Sequence, residues 1–283
     1  MREKKHLFFL GAGSMAEAMV KGMLAAELFS ASQLTVSNRS HTARLHELHS
    51  EYAVNTCQSK EDKAASAAAA DIIVVAVKPF DVASALENVQ PALTPDHLVI
   101  SVAAGVSTGA IETYLGGRIP VVRAMPNTSS FVQESATAIS AGHYATPGHI
   151  EDALQIFSAI GSAIIVEEGQ LDAVTGLSGS GPAYIYYVVE ALLDAGIACG
   201  LPQETSQALV LQTLVGAVKM LKETGTDPAE LRHQVTSPNG TTMAGLQALE
   251  QGNAASLFLQ AVKQATARSV EMGKMVSTTI LEK

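Results

Sequence analysis

Two stretches of this chain carry residue types suited to chemistry on small ligands. GAGSMA, residues 11–16, follows a short apolar run and opens a helical pattern. Gly11 permits a tight turn, and Gly13 lets a pyrophosphate approach the backbone. Ala16 is small where the helix must pack on the strand. With Ala12, Ser14 and Met15, the loop reads as a dinucleotide cradle, since a helix N-terminus offers unpaired N–H groups to an anion. VTSPNGTTMAGLQALE, residues 235–250, crowds hydroxyls at another helix start. A helix cap needs one such residue, and here stand Thr236, Ser237, Thr241 and Thr242. The stretch is either a cap or a site for an anion or small polar ligand.

Three further segments match the first. The second apolar run ends in VSNRS, residues 36–40, where an NAD-preferring fold places an acid for the ribose hydroxyls. This chain has Asn38, Arg39 and Ser40 instead. A guanidinium without an acid suits a 2′-phosphate, which Arg grips through two parallel hydrogen bonds. The residues therefore predict NADPH, with NADH as the alternative. The competing reading is a surface arginine at a strand end. AVKP (Ala76, Val77, Lys78, Pro79) and SVAAGV (101–106) close two more strands, at the carboxyl ends where doubly wound sheets bind ligands. Lys78 is a candidate general acid, an orienting group, or only the strand's end before Pro79. The small Val102, Ala103 and Ala104 would let a nicotinamide lie close, and RAMPNT (123–128) adds Pro126 and Asn127 to the same edge.

The elements that must position these residues follow from the apolar period. Short apolar runs at 6–10, 34–37, 72–77, 98–102, 119–123 and 163–166 alternate with helical patterns. That alternation predicts buried strands of a parallel sheet. Residues 135–141 add a further strand, and 148–160 a helix ending at Gly161. After about residue 170 only helices are expected: 170–178, 182–198, 203–223, 227–234, 241–251 and 254–274. The expected fold is α/β: an N-terminal Rossmann-type doubly wound sheet over 1–167, then an all-α dimerisation domain over 168–283. Helices such as YIYYVVEALLDAGIA are too apolar for one small bundle and predict burial against a second subunit.

Composition removes several classes of function. Of 283 residues, 47% are hydrophobic, enough for a sizeable core rather than disorder. A net charge of −9 without a basic run argues against nucleic-acid and anionic-membrane surfaces. Cys57 and Cys199 form no metal or disulfide framework, so a cytoplasmic setting is expected. The N-terminus, basic then apolar, resembles a leader, but its apolar run is short and leads into the glycine loop. The apolar region 183–201 contains Glu190 and Asp194, against a membrane span. His46 and His49 share a helix face without a third ligand, so no metal site is expected.

GAGSMA, VKP, SVAAGV, AMPNT, SGSGPAY (178–184) and VTSPNGTT (235–242) occur in order across residues 6–273, and together they resemble the pyrroline-5-carboxylate reductase family. The resemblance implies NAD(P)H-dependent reduction of 1-pyrroline-5-carboxylate to L-proline, the last step of proline biosynthesis. It implies a Rossmann domain, a helical dimerisation domain, and homodimers that often assemble into a decamer, a pentamer of dimers. It also implies that the substrate carboxylate meets backbone amides at Gly240, Thr241 and Thr242, beside Ser237. The Thr242 hydroxyl then faces the imine nitrogen as the catalytic residue. A substrate that arrives protonated needs positioning rather than a strong acid, in keeping with a loop poor in His, Asp and Glu. The chain departs from the family pattern twice. Asn239-Gly240 replaces Gly-Gly, which Asn tolerates through its ease in left-handed conformations. SKEDK (59–63) stands where the family often has an Asn near the adenosine ribose, with Ser59 as the candidate substitute. A β-hydroxyacid dehydrogenase would need a catalytic Lys that SGSGPAYIYYVVEALLD lacks. A non-catalytic NADPH-sensing protein would not need VTSPNGTT.

Overall fold

The computed structural model describes residues 5–281; residues 1–4, the basic start weighed above, and 282–283 lie outside them. The sheet is built from β1 (Leu7–Leu10), β2 (Leu34–Ser37), β3 (Asn55–Cys57), β4 (Ile72–Val75), β5 (Leu98–Ser101), β6 (Val121–Met125), β7 (Ser135–Ala141) and β8 (Gly161–Ile165). Their spatial order is β3-β2-β1-β4-β5-β6-β7-β8. β1 to β6 run parallel, β7 turns antiparallel to β6, and β8 is parallel to β7. The order reverses at β1, between β2 and β4, which is the switch point of a doubly wound sheet.

The central strands are apolar throughout because both faces are covered. Leu7, Phe9, Ile72, Val74, Leu98 and Ile100 lie in one core layer, and Phe8, Leu10, Ile73, Val75 and Val99 in the other. Successive side chains point to opposite faces, so a strand buried twice shows no polar alternation. Phe8 and Phe9 are fully buried, and truncating either to Ala would cost about 3–5 kcal/mol. Between the strands lie α1 (Ser14–Ala25), α2 (Thr42–Tyr52), α3 (Lys60–Ala69), α4 (Val82–Glu87), α5 (Thr108–Leu115) and α6 (Pro147–Ser158).

Several details differ from the sequence expectation. β3 has no apolar run: at the sheet edge its residues Asn55 and Thr56 are exposed. β6 starts at Val121 rather than 119, because Pro120 brings no N–H to the ladder, although its carbonyl accepts from Val99. Gly161 opens β8 instead of ending α6. The helix expected over 170–178 is one α turn, α7 (Leu171–Val174), continued by a π turn over Thr175–Gly179.

By its contacts the chain divides into two units. One runs up to Ser180 and resumes at Lys263; the other is Gly181–Val262. The second contains α8 (Gly181–Ala198), α9 (Gln203–Thr224), α10 (Pro228–Gln234) and α11 (Thr241–Gln251). α12 (Ala254–Leu281) starts in this helical unit and ends in the sheet unit. It runs seven residues past the expected end. Val276, in that extension, is buried in the same layer as Val106 and Ile111. No residue of α8 is buried, and Ile185, Tyr186 and Tyr187 are exposed, Tyr187 by 72%. Among the described residues no helix is long and apolar enough to cross a membrane.

Candidate active site

Four of the predicted cofactor segments meet at the carboxyl ends of β1, β2, β4 and β5. Hydrogen bonds continue the ladder past the strand ends and hold them in register. Gly11 N–H donates to Ser37 O (3.1 Å), Ala76 N–H to Leu10 O (2.8 Å) and Val102 N–H to Val75 O (3.1 Å). Gly11 has φ +117°, and a Cβ there would stand 2.4 Å from Ala76 O, so both conformation and space demand glycine. Gly13 is the N-cap of α1. No side chain caps it, and open space surrounds the position a Cβ would take. Unpaired first-turn amides beside open space fit a pyrophosphate. Ala16 is fully buried in the core below, as the helix packing requires. Ala12 is buried too, and Met15 turns its side chain inward, with Sδ 3.7 Å from Ser130 Oγ.

At the end of β2, Asn38 Oδ1 accepts from Ser40 N–H (3.2 Å) and His41 N–H (3.3 Å), which shapes the turn. The Arg39 side chain is 77% exposed and reaches Asp81 Oδ1 at 3.0 Å. An exposed pair of this kind contributes about 0–1 kcal/mol, so it orients Arg39 more than it stabilises the fold. Lys78 is exposed ahead of the turn Pro79–Asp81, and Val77 packs against a core layer. Ser59 does not stand free: its hydroxyl accepts from Asp62 N–H (3.0 Å) as the N-cap of α3.

Arg44, on α2, was not foreseen. Its Nε donates to Ala12 O (3.1 Å) inside the glycine loop, while its other nitrogens pair with Glu17 and Glu47 (3.1 Å to the latter). Burial disfavours its charge, but the hydrogen bonds it donates to Glu17 and Glu47, with the negative charges of both, together outweigh burial and raise the guanidinium's pKa. A lone Arg in an amphipathic helix gives no sequence signal for such a contact.

The SVAAGV loop is held from above by α12. A Cβ on Gly273 would stand 2.4 Å from Gly105 O. Nearby, Ser269 Oγ donates to Asp172 Oδ1 (2.7 Å), which also takes Arg123 Nη2 (3.3 Å). Arg123 is only 4% exposed. Glu168 accepts from both the backbone and hydroxyl of Thr108 (2.7 Å each). Asn127 lies at the end of β6 and donates to Ser178 O (3.0 Å), so its side chain is bound within the protein. Ala104 borders a cavity of about 180 Å³ with Thr175, Ser180 and Ser269.

Ser237, Gly240, Thr241 and Thr242 lie in the helical unit. Ser237 to Gly240 form a turn in which Gly240 N–H donates to Ser237 O (3.0 Å), with Asn239 at φ +61°. Pro then Asn is the order a type II turn favours. Gly240 itself is the N-cap of α11, and no side chain caps that helix. A Cβ on Gly240 would fall 2.3 Å from Ser237 Oγ. The Gly240 amide is thus engaged, and the unpaired donors begin at Thr241, one residue later than the sequence suggested. Thr236 donates to Arg232 O (2.6 Å). Thr241 and Thr242 are exposed, and their hydroxyls make no hydrogen bond among the described residues.

A glycine-rich phosphate loop at the switch point of a doubly wound sheet, joined to a helical unit, defines a dinucleotide-dependent oxidoreductase. The description "NADP oxidoreductase coenzyme F420-dependent" matches residues 6–105, and "Pyrroline-5-carboxylate reductase dimerisation" matches residues 168–272. The chain is 40% identical to pyrroline-5-carboxylate reductase 2 of Bacillus subtilis, over 99% of both chains. It is similar to the structure of a pyrroline-5-carboxylate reductase from Coxiella burnetii, with TM-score 0.88, 38% identity, and 95% and 99% of the two chains covered. It also resembles the NADP-bound pyrroline carboxylate reductase of Plasmodium falciparum, with TM-score 0.85, 32% identity, and 96% and 99% covered. The chain belongs to the pyrroline-5-carboxylate reductase family.

Proposed function

We propose that the chain reduces 1-pyrroline-5-carboxylate to L-proline with NADPH as the preferred hydride donor, the final step of proline biosynthesis. The observation that carries the substrate assignment is the start of α11. Its cap is a glycine without a side-chain bond, which leaves two threonine hydroxyls and the amides from Thr241 onward to a ligand. Those amides suit the substrate carboxylate. The Thr242 hydroxyl serves the imine nitrogen, and Ser237 and Gly240 shape the turn that presents it. NADPH, when bound, would supply the hydride that the imine carbon takes up, and the nitrogen would keep its proton as the amine forms. Gly11 to Ala16 hold the pyrophosphate, Asn38 and Arg39 the ribose end, and Ala76 to Pro79 with Val102 to Ala104 the remainder. Lys78 orients rather than donates, since an iminium needs no further acid.

The functional boundary is drawn at 167/168, an NADP-binding module before it and a dimerisation and substrate module after it. In support, β8 ends at Ile165 and the dimerisation match starts at 168. The protein works as a homodimer, and dimers assemble further into a decamer. A cytoplasmic location accords with its two free cysteines. The test is the oxidation of NADPH, followed by its absorbance, with and without 1-pyrroline-5-carboxylate. Oxidation that depends on the imine is expected. Cofactor binding without imine-dependent turnover would instead mark a sensing protein.

A further inference from the structure

We infer that Lys63 is a second cation for the cofactor's 2′-phosphate and sets the preference for NADPH together with Arg39. The inference rests on the NADPH reading above. Lys63 stands in the first turn of α3, whose N-cap is Ser59, and its backbone N–H donates to Ser59 O (3.1 Å). The residue is only 8% exposed. Its ammonium makes no ion pair or hydrogen bond among the described residues. Its Nζ is not among the buried polar atoms that lack a partner, so the stem is what packs and the ammonium reaches solvent, free to meet an anion.

Its place in the fold names the missing partner. Cys57, the last residue of β3, lies in register with Ser37, the last residue of β2. Asn38, Arg39 and Ser40 follow directly. The Thr42 hydroxyl donates to Gln58 Oε1 (2.9 Å), which ties the loop before α3 to the loop after β2. Burial pushes the Cys57 thiol up, a hydrogen bond from Ser66 and then the positive charge of Lys63 pull it back, and the negative charge of Asp62 pushes it up again. The end of β2 is where such folds receive the ribose 2′ group. Arg39 already shares its charge with Asp81. A phosphate monoester carries close to two negative charges at neutral pH, and Lys63 supplies the cation that Arg39 alone does not. Its aliphatic stem packs while the amine stays at the surface.

The experiment uses the intact enzyme and two probes that differ by one phosphate, adenosine 2′,5′-bisphosphate and adenosine 5′-monophosphate. Calorimetric affinities are measured for wild type, Lys63→Gln and Lys63→Arg, beside KM values for NADPH and NADH. Lys63→Gln is expected to weaken the bisphosphate, and raise the NADPH KM, about tenfold or more, the effect of one lost charge-assisted hydrogen bond. The monophosphate and the NADH KM stay unchanged, and Lys63→Arg restores most of the difference. Equal losses for both probes, or none, would reduce Lys63 to a packing side chain and overturn the inference. If wild type itself does not discriminate between the probes, the NADPH reading falls and this inference with it. Discrimination in wild type that survives in Lys63→Gln overturns only the role of Lys63.

Discussion

At Thr242 two roles make different demands on one hydroxyl. A capping threonine accepts from an amide of its own helix, and its loss costs stability of about 1 kcal/mol. Gly240 holds the cap position of α11 without help from any side chain, so that role is not taken by Thr242. Replacing Thr242 by Ala should leave the melting temperature nearly unchanged, as for surface substitutions worth within about 0.5 kcal/mol. It should lower kcat/KM for 1-pyrroline-5-carboxylate by roughly tenfold or more, through one hydrogen bond and the orientation it sets. Thr242→Ser keeps the hydroxyl and most of the activity, and neither variant changes NADPH binding. Steady-state kinetics beside thermal melts decide the matter. An Ala variant that melts early but turns over normally would return Thr242 to a structural role and move the substrate contact to Ser237 or Thr241.

The end of α12 and the SVAAGV loop show how one element sets another. Gly273 lies where the helix backbone meets the carbonyl of Gly105, itself at φ +76°. By helix propensity alone, Gly273→Ala would gain up to about 1 kcal/mol. The added methyl would stand 2.4 Å from a backbone oxygen rather than a movable side chain, and overpacking of that kind costs about 1–3 kcal/mol. Packing therefore wins, and the variant is expected to melt lower and to bind NADPH more weakly, because relief comes by displacing the loop that carries Ala103 and Ala104. Fluorescence titration of NADPH and a thermal melt test this. A more stable variant with unchanged cofactor affinity would show that propensity dominates and that α12 does not position the loop.

For the whole molecule the deciding quantity is uncovered apolar surface. In the helical unit Ile185, Tyr186, Tyr187, Leu209, Val215 and Val218 are all exposed, far beyond the scattered apolar residues of an ordinary surface. At about 25 cal/mol per Å² of apolar area, covering such faces with a second copy yields an obligate interface, which typically exceeds about 2,000 Å². Light scattering at assay concentrations should give twice 29.5 kDa or a multiple of it. A stable, active monomer would refute this. Leu209→Asp, a charge on that surface, should reduce the dimer and activity together.

Much of this was legible in the chain itself. Strand-loop-helix alternation, Gly11 and Gly13, and the crowded hydroxyls before α11 are local signals, carried by periodicity and by residues with special backbone needs. Even the Asn239 turn followed from the tolerance of Asn for positive φ. Other features depend on partners remote in sequence, which no local pattern encodes. β3 is polar because it forms a sheet edge, so a search for apolar runs passes over it. Arg44 reaches the Ala12 carbonyl, 32 positions away, only once α2 packs beside α1. The return of α12 onto Gly105 was hidden because a glycine inside a helix reads as a weakness until its close neighbour is seen. The first turn of α3 is the last case. Its sequence offered Ser59 as a ribose ligand; in the fold that hydroxyl accepts from Asp62 N–H as a helix cap, and Lys63, its stem packed, stands in the same turn.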